Sequence, residues 1–282
     1  MSLLTVSDLT VTYPGRGWRK PAFTALHEVS LDVRAGETVG LVGESGSGKS
    51  TLGRAILGLA PVSGGSISYD GRDIAHVSQR VRRELARDIQ VVFQDPLSSL
   101  SPSLTVGESL AEPLRVRRVS RSEADDRIRE ALDLVHLPAD AVRRLPREFS
   151  GGQRQRIAIA RALVLEPRLI VCDEPVSALD LTTQARVLDL FLDVQERTGV
   201  AYLFISHDLS VVRVMSHRVA VMRHGRIVEA GDAHAVTTSP TNPYTRQLLL
   251  AAPVADPAAQ ARRRADYEAS RAMAPYSQET TR

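Results

Sequence analysis

The stretch ETVGLVGESGSGKSTLGRAILGL, Glu37–Leu59, decides the fold of this chain. Its first part, Glu37–Val42, is a short apolar run rich in β-branched residues, which predicts a buried strand. Its last part, Ser50–Leu59, carries leucine and isoleucine at helical spacing. The glycine-rich segment Gly43–Lys49 joins the two, so the stretch predicts a strand, a tight loop and a helix.

The loop matches the pattern G-x-x-x-x-G-K-[ST] through Gly43, Gly48, Lys49 and Ser50. Glycines allow backbone N–H groups to turn inward at the positive end of the following helix, where they cradle phosphate oxygens. We expect Lys49 to reach the β- and γ-phosphates of a nucleotide and Ser50 to ligate Mg²⁺. The alternative for this motif alone is a flexible Gly/Ser turn before a helix.

Lysine is rare in this chain, which makes its place in the loop informative. It occurs only at Lys20 and Lys49, although lysine and arginine together number 36. A lysine is a compact charge on a thin stem, whereas the broad planar fork of arginine favours bidentate partners and would crowd a closed backbone loop. The choice of lysine at position 49 therefore favours a phosphate-binding role.

The bulk composition is that of an ordinary globular protein. The chain has 282 residues, 43% hydrophobic and 24% charged, which is enough to bury a core. A net charge of +3, with arginines interspersed among acids, gives little indication of nucleic-acid binding. The single cysteine, Cys172, excludes an internal disulfide and a four-cysteine metal site.

The hydropathy pattern indicates a cytoplasmic chain. The N-terminal residues do not resemble a signal peptide, because Asp8 precedes any long apolar run. No stretch approaches the roughly 20 apolar residues that span a bilayer. If the protein works at a membrane, we expect a partner to supply the spans.

Two adjacent carboxylates follow another apolar run, RLIVCDEP, Arg168–Pro175. The alternation of a strand would send Asp173 and Glu174 to different faces, so they suit different tasks. Asp173 is a candidate for the Mg²⁺ shell, and Glu174 for polarising an attacking water. The alternative is a solvated acidic strand end.

A small polar segment, FSGGQRQR, Phe149–Arg156, opens a helical run. Ser150, Gly151 and Gly152 stand at the predicted helix start, where free N–H groups could meet an anion. The alternative is that Ser150 is simply a good N-cap.

Polar residues also end two further predicted strands. Gln94 follows the strand in VVFQDP, and His207 follows the strand in AYLFISHD. Taken singly, neither residue supports a catalytic assignment.

The order of these motifs along the chain (glycine loop, Gln, SGGQ, Asp-Glu, His) resembles the ABC-type ATPases, from about residue 3 to about residue 253. SGGQ after the glycine loop separates that family from other P-loop NTPases. The resemblance implies an α/β P-loop NTPase core with an inserted helical subdomain. We expect a RecA-like ATP-binding core over 1–94 and 164–235, a helical signature subdomain over 95–163, and a C-terminal element with a mobile tail over 236–282.

In that family each ATP lies between the glycine loop of one subunit and the SGGQ segment of another, with Mg²⁺ as cofactor. The implied phosphate contacts are Gly43, Ser45, Gly46, Gly48, Lys49, Ser50 and Thr51. The implied contacts to the partner's ATP are Ser150, Gly151 and Gly152, with Asp180 in the SALD loop across the dimer interface. Tyr13 matches the aromatic residue that stacks on adenine.

The resemblance also assigns chemistry. Glu174 would be the general base, His207 a switch that holds the γ-phosphate, and Lys49 a phosphate ligand, with Gln94 completing the catalytic set. The implied Mg²⁺ ligands are Ser50, Gln94 and Asp173, and Gln94 would also couple the site to transmembrane subunits. One departure is Phe149, where leucine usually precedes SGGQ. We expect an active site.

Strands are expected near 3–13, 27–34, 37–42, 89–93, 168–172, 201–205 and 218–222. Residues 95–163 are patterned as helices, and Ile128, Leu132 and Val135 would line one face of the charged stretch Arg121–Leu137. The last 30 residues or so, rich in Ala and Arg, suggest a mobile or weakly helical tail.

The segment SPTNPYTRQLLLAAP, Ser239–Pro253, resembles the C-terminal element of ATPases that serve bacterial dipeptide, oligopeptide and nickel importers. Asn242 replaces a histidine usual there, and Gln94–Val106 also resembles that group. A peptide importer is the main hypothesis.

The implied partners are two transmembrane permease subunits, a second ATPase subunit (a paralogue or an identical copy) and an extracytoplasmic solute-binding protein, with no nucleic acid. The expected location is the cytoplasmic face of the cell membrane. Alternatives are an importer of nickel or another small solute, the ATPase of a soluble carbon–phosphorus lyase-type complex, a ribosome- or DNA-acting protein, and an exporter.

Overall fold

The computed structural model describes residues 2–15, 21–95 and 100–251, which form two β-sheets with helices around them. The strands are β1 (Ser2–Tyr13), β2 (Phe23–Arg34), β3 (Thr38–Val42), β4 (Val62–Tyr69), β5 (Arg72–Asp73), β6 (Ile89–Val92), β7 (Leu169–Asp173), β8 (Ala201–Ser206), β9 (Arg218–Arg223) and β10 (Arg226–Asp232). The helices are α1 (Lys49–Ile56), α2 (Gln79–Leu85), α3 (Val106–Val116), α4 (Arg121–Leu134), α5 (Gly151–Leu163), α6 (Leu181–Thr198), α7 (Leu209–Met215), α8 (Ala233–Thr238) and α9 (Pro243–Ala251).

The larger sheet has the order β10-β9-β3-β8-β7-β6. Its strands β9, β3, β8, β7 and β6 are parallel, while β10 runs antiparallel to β9. Strands β3 and β8 are buried along their whole length, as expected for a parallel sheet covered on both faces. Because the parallel strands share one direction, their carboxyl ends meet at one edge, and ligands of such sheets bind at that edge.

The smaller sheet is antiparallel, with the order β2-β1-β4-β5. Its inner side chains, such as Leu4 and Val6, share one apolar cluster with Leu52 and Ile56 of α1 and with Leu41 of β3. A second cluster, on the helical side, joins α3 to α6 with strands β6, β7 and β8. The parallel sheet is therefore the central layer of the molecule.

In the helical segment between β6 and β7, α3 and α4 each begin after a polar N-cap residue. The Thr105 hydroxyl accepts a hydrogen bond from the N–H of Glu108, and the Ser120 hydroxyl from the N–H of Glu123. The predicted apolar face of the charged stretch is confirmed, since Ile128, Leu132 and Val135 are all buried.

The predicted strands are all present, with ends that differ by a few residues. Strand β2 begins four residues earlier than predicted, because Phe23 and Thr24 pair with Tyr13 and Thr12. Strands β4, β5 and β10 were not predicted. The sequence of β4, VSGGSISY, has little strand propensity of its own, and it is a strand because it pairs with β1.

The chain after β9 turns back as β10, α8 and α9. Val236 of α8 and Tyr244 of α9 pack with Val219 and Val221 of β9 in a third apolar cluster. The expected mobile tail beyond 251 lies outside the described residues. Within the described ranges, no helix combines the length and the apolar character needed to cross a membrane.

Candidate functional site

The glycine loop joins the end of β3 to α1 and is held by backbone contacts with the β9–β10 hairpin. The Gly225 N–H donates to the Ser47 carbonyl at 2.9 Å. A Cβ atom at Gly43 would lie 2.1 Å from the Met222 carbonyl oxygen, and Gly48 has a φ of 107°. Only glycine meets both demands, so the loop needs glycine at these positions for close approach and for a left-handed turn.

Lys49 is almost fully buried, with 4% of its surface exposed. Its Nζ atom donates to the carbonyl oxygens of Gly43 and Glu44, each at 2.8 Å. Burial lowers the pKa of the ammonium, and the carboxylates of Glu174, Asp173 and Glu44 act against that lowering. The loop therefore holds a desolvated cation at its mouth, a strong attractor for phosphate.

The first turn of α1 meets the end of β7 through one hydrogen bond. The Ser50 hydroxyl donates to Oδ1 of Asp173 at 2.8 Å. Burial raises the pKa of Asp173, and the hydrogen bond from Ser50 acts in the opposite direction. A hydroxyl and a half-buried carboxylate facing each other are hard oxygen ligands, and a cation would compensate the negative charge of the carboxylate. The donor set therefore fits Mg²⁺.

Glu174 stands directly after β7 in a left-handed conformation, with a φ of 51°. Its N–H donates to the Ile205 carbonyl of the neighbouring strand β8 at 3.0 Å. Its Oε2 atom lies 3.0 Å from Nδ1 of His207, the residue that follows β8. The two carboxylates do point to different partners, but the cause is this backbone turn and not strand alternation, because Glu174 lies outside the strand.

A cavity of about 310 Å³ opens over the loop. It is lined by Phe23, Ala25, Ser45, Gly46, Gly48, Lys49, Ser50, Thr51 and Glu174. The cavity thus brings together most of the phosphate contacts expected from the sequence with the expected general base. Gly43, the first residue of the loop, packs against β9 and is the one expected phosphate contact outside the lining.

Two residues of this lining, Phe23 and Ala25, were not expected from the sequence. Phe23 is 65% exposed, which is unusual for a large aromatic side chain. Tyr13, the expected adenine contact, is its cross-strand neighbour, but among the described residues it is not part of the cavity lining. The sequence feature that could have predicted Phe23 as part of the site is an aromatic residue at the start of a strand upstream of the loop.

Gln94 is exposed and lies two residues after β6, at the same sheet edge as the other candidates. Four parallel strands thus end beside one another in a glycine loop, a histidine, a carboxylate pair and a glutamine. Gln94 is not part of the cavity lining in the described chain.

The SGGQ segment forms a separate surface. Ser150 is the N-cap of α5, accepting from the Gln153 N–H at 3.3 Å. Asp180 is the N-cap of α6 and accepts a hydrogen bond from the Thr183 N–H at 3.0 Å. Hydrogen bonding from the Thr183 side chain, and then from its N–H, lowers the pKa of Asp180. A Cβ atom at Gly152 would lie 2.3 Å from Cγ2 of Thr183, so the two helix starts are in contact.

Ser150, Gly151 and Asp180 are exposed. Among the described residues, this surface and the cavity lining have no residue in common. One chain therefore presents two distinct surfaces: the loop with its acidic residues, and the paired helix starts. Ser150 does act as the N-cap that the simpler interpretation expected.

Comparison with known proteins places this geometry in context. The sequence model described as "ABC transporter" matches residues 26–177. The chain is 49% identical to the glutathione import ATP-binding protein GsiA of Pectobacterium atrosepticum, over 92% of this chain and 42% of that protein. It is 52% identical to the oligopeptide transport ATP-binding protein OppD of Mycobacterium tuberculosis, over 83% of this chain and 38% of that protein. The chain thus spans about two fifths of the length of these relatives.

A putative peptide import ATP-binding protein of Brucella abortus is similar over most of both chains, with 49% identity over 93% of this chain and 82% of that one. Among solved structures, the ATP-binding cassette MJ0796, as a dimer in a post-hydrolysis state bound to ADP and Pi, has a TM-score of 0.72 and 30% identity, covering 82% of this chain and 98% of that one. CbiO1 from Clostridium perfringens has a TM-score of 0.75 and 27% identity, covering 84% and 91%.

Proposed function

The chain belongs to the ABC transporter family of ATP-binding proteins, and on that premise we propose that it is the ATP-hydrolysing subunit of a bacterial importer of di- or oligopeptides. The observation that carries the proposal is the cavity over the glycine loop, which is lined by the buried Lys49, by Ser50 and by Glu174. Two of these residues pair with strand-end side chains outside the lining, Ser50 with Asp173 and Glu174 with His207. The cargo is proposed from the names of the relatives, which include oligopeptide and glutathione import proteins.

The proposed binding step uses the residues of the loop. Backbone N–H groups of Gly46, Gly48 and their neighbours surround the phosphates, and the Lys49 ammonium neutralises the β- and γ-phosphate oxygens. Ser50, Asp173 and Gln94 would hold Mg²⁺, which would neutralise part of the charge on the phosphates.

Hydrolysis depends on a carboxylate aimed at the water. Glu174 accepts the proton of the attacking water. His207 holds the γ-phosphate as a switch, and the contact between its Nδ1 atom and Oε2 also keeps the Glu174 carboxylate oriented. The left-handed backbone at Glu174 supports this role, because it turns the carboxylate toward His207.

Closure of a dimer couples this chemistry to transport. Ser150, Gly151 and Asp180, which are exposed, form with the buried Gly152 the surface that completes the partner's ATP site. The γ-phosphate then bridges two subunits, and its loss on hydrolysis releases them. The division into a core over 1–94 and 164–235, a helical subdomain over 95–163 and a C-terminal element from 236 is part of this proposal.

Two permease subunits follow that motion through contacts near Gln94, and an extracytoplasmic solute-binding protein delivers the cargo. The second ATPase is an identical copy or a paralogue. The chain itself is peripheral, on the cytoplasmic face of the membrane.

The test is a tagged pull-down from detergent-solubilised native membranes, with co-purifying chains identified by mass spectrometry. Two multi-span subunits, together with Mg²⁺-dependent ATP hydrolysis by the complex, are the expected result. A set of partners without any membrane subunit would overturn the importer, and a complex without ATPase activity would overturn the catalytic assignment.

A further inference from the structure

The C-terminal helix reaches the glycine loop directly. The backbone N–H of Glu44, the second residue of the loop, donates to the phenol oxygen of Tyr244 at 3.1 Å. Tyr244 lies in the first turn of α9 and is 5% exposed. A contact between two residues 200 positions apart thus ties the end of the described chain to its nucleotide loop.

The peptide group between Gly43 and Glu44 is held from both sides. Its carbonyl, that of Gly43, accepts from Nζ of Lys49, and its N–H donates to Tyr244. The carbonyl of Glu44 is the second acceptor of the same ammonium. Since a peptide group is planar, the phenol that fixes the N–H also fixes the carbonyl on which Lys49 rests.

The phenol is itself firmly placed. Asn242 caps α9, because its Oδ1 atom accepts from the Tyr244 N–H at 2.9 Å while its Nδ2 atom donates to the Val228 carbonyl at 3.1 Å. The guanidinium of Arg223 lies 4.7 Å from the centre of the Tyr244 ring. Burial raises the pKa of the Tyr244 phenol.

A carboxylate on β10 holds the segment that precedes the helix. Glu229 accepts from the Thr241 N–H at 2.6 Å and from the Asn242 N–H at 3.2 Å. The start of α9 is therefore bound to the hairpin whose Gly225 also supports the loop, so hydrogen bonds join helix, hairpin and loop.

We propose that Tyr244 is a positioning residue for the nucleotide: its phenol orients the Gly43–Glu44 peptide, and with it the Lys49 ammonium, for phosphate binding. Tyr244 does not itself line the cavity. The proposal rests on the proposed function, because it concerns the affinity of the same site. By thermodynamic linkage, a nucleotide that is bound more tightly when Tyr244 holds the loop must in turn stabilise α9 against opening.

The test compares full-length wild-type protein with Tyr244→Phe, by calorimetric titration with Mg²⁺-ATP. Phenylalanine keeps the ring and its contact with Arg223 and removes only the oxygen that accepts from Glu44. We expect Kd to rise by about three- to tenfold, the value of one hydrogen bond. The matched control is Tyr69→Phe, because the Tyr69 hydroxyl is buried without a partner among the described residues, and we expect Kd to stay unchanged.

A second readout separates positioning from plain stability. Hydrogen exchange is followed across residues 243–251 with and without Mg²⁺-ATP, and Tm is measured without nucleotide. We expect ATP to slow exchange in α9 of the wild type and to slow it less in Tyr244→Phe. A lower Tm with an unchanged Kd would reduce Tyr244 to a structural role and overturn the proposal.

The ATPase function and the positioning role of Tyr244 can be tested separately. If the wild type binds Mg²⁺-ATP and Tyr244→Phe binds it equally well, the role of Tyr244 is wrong and the ATPase remains. If the wild type does not bind Mg²⁺-ATP, the proposed function and the role of Tyr244 are both overturned.

Discussion

The Nδ1 atom of His207 lies 3.0 Å from the Oε2 atom of Glu174, although the two residues are 33 positions apart in the sequence. They meet because β7 and β8 are neighbouring parallel strands and each residue follows the end of its strand. The backbone of Glu174 turns left-handed at this point and presents the carboxylate to the cavity. A histidine paired with a carboxylate beside a phosphate loop is suited to orienting a base.

Replacing Glu174 by Gln should abolish turnover while preserving binding. The amide keeps the shape of the side chain but cannot accept a proton, so we expect kcat for ATP to fall roughly a hundred- to ten-thousandfold. Phosphate release and ATP titration measure the two effects. Glu196→Gln, at an exposed position on α6, is the control and should hydrolyse ATP like the wild type. Unchanged turnover in Glu174→Gln would show that another group is the base.

Replacing Gly43 by Ala should damage the loop. The new Cβ would lie 2.1 Å from the Met222 carbonyl, so the loop or β9 must move. Such overpacking costs about 1–3 kcal/mol, and we expect ATP to bind at least about tenfold more weakly. Gly64→Ala is the control, because its Cβ would be 3.6 Å from Thr10, an ordinary contact. Equal ATP affinity in both variants would mean that the close approach is unimportant.

The two aromatic residues near the cavity can be assigned by comparing ligands. We expect Phe23→Ala and Tyr13→Ala each to weaken ATP binding by about five- to fiftyfold, because the adenine base loses an aromatic ring on which it stacks. Binding of inorganic triphosphate, which lacks a base, should be unaffected. A variant that loses affinity for both ligands has damaged the loop, and a variant that loses neither does not contact adenine.

Arg218 joins two carboxylates at the opposite end of the central sheet, and its loss should show in stability. Its guanidinium contacts Asp32 at 2.9 Å and Glu37 at 3.3 Å, and Glu37 is only 8% exposed. Arg218→Met removes the cation that both carboxylates share, so we expect a loss of about 1–3 kcal/mol in the free energy of unfolding at pH 7. Urea denaturation measures this loss.

The stability lost in Arg218→Met should become smaller as the pH falls. The hydrogen bond from Arg218 lowers the pKa of Asp32, although burial acts against it. A carboxyl whose pKa is lower in the folded state contributes stability above its unfolded pKa of about 4 and loses it as pH falls through the folded value. The difference between wild type and Arg218→Met should therefore shrink below about pH 4. Arg80→Met, which breaks an exposed pair with Glu84, should change stability little at either pH.

Local patterns predicted much of this molecule. The strand, glycine loop and helix around Lys49 follow from residues adjacent in sequence, and so do the buried parallel strands that end at Asp173 and just before His207. Strand β4 was missed because its glycines and serines become a strand only by pairing with β1. Strand β10 was missed because it is half-exposed at the sheet edge and lacks a clear alternation.

The candidate site likewise has features that the local sequence predicted and features that depend on tertiary contacts. The sequence alone determined which residue types stand at each strand end, because the chemistry of phosphate and Mg²⁺ selects them and their order along the chain is a local property. Only the tertiary structure decided that Phe23 faces the loop, that a left-handed turn aims Glu174 at His207, and that Tyr244 holds the N–H of Glu44. These contacts depend on strand register and on how distant segments pack, and no run of neighbouring residues contains that information.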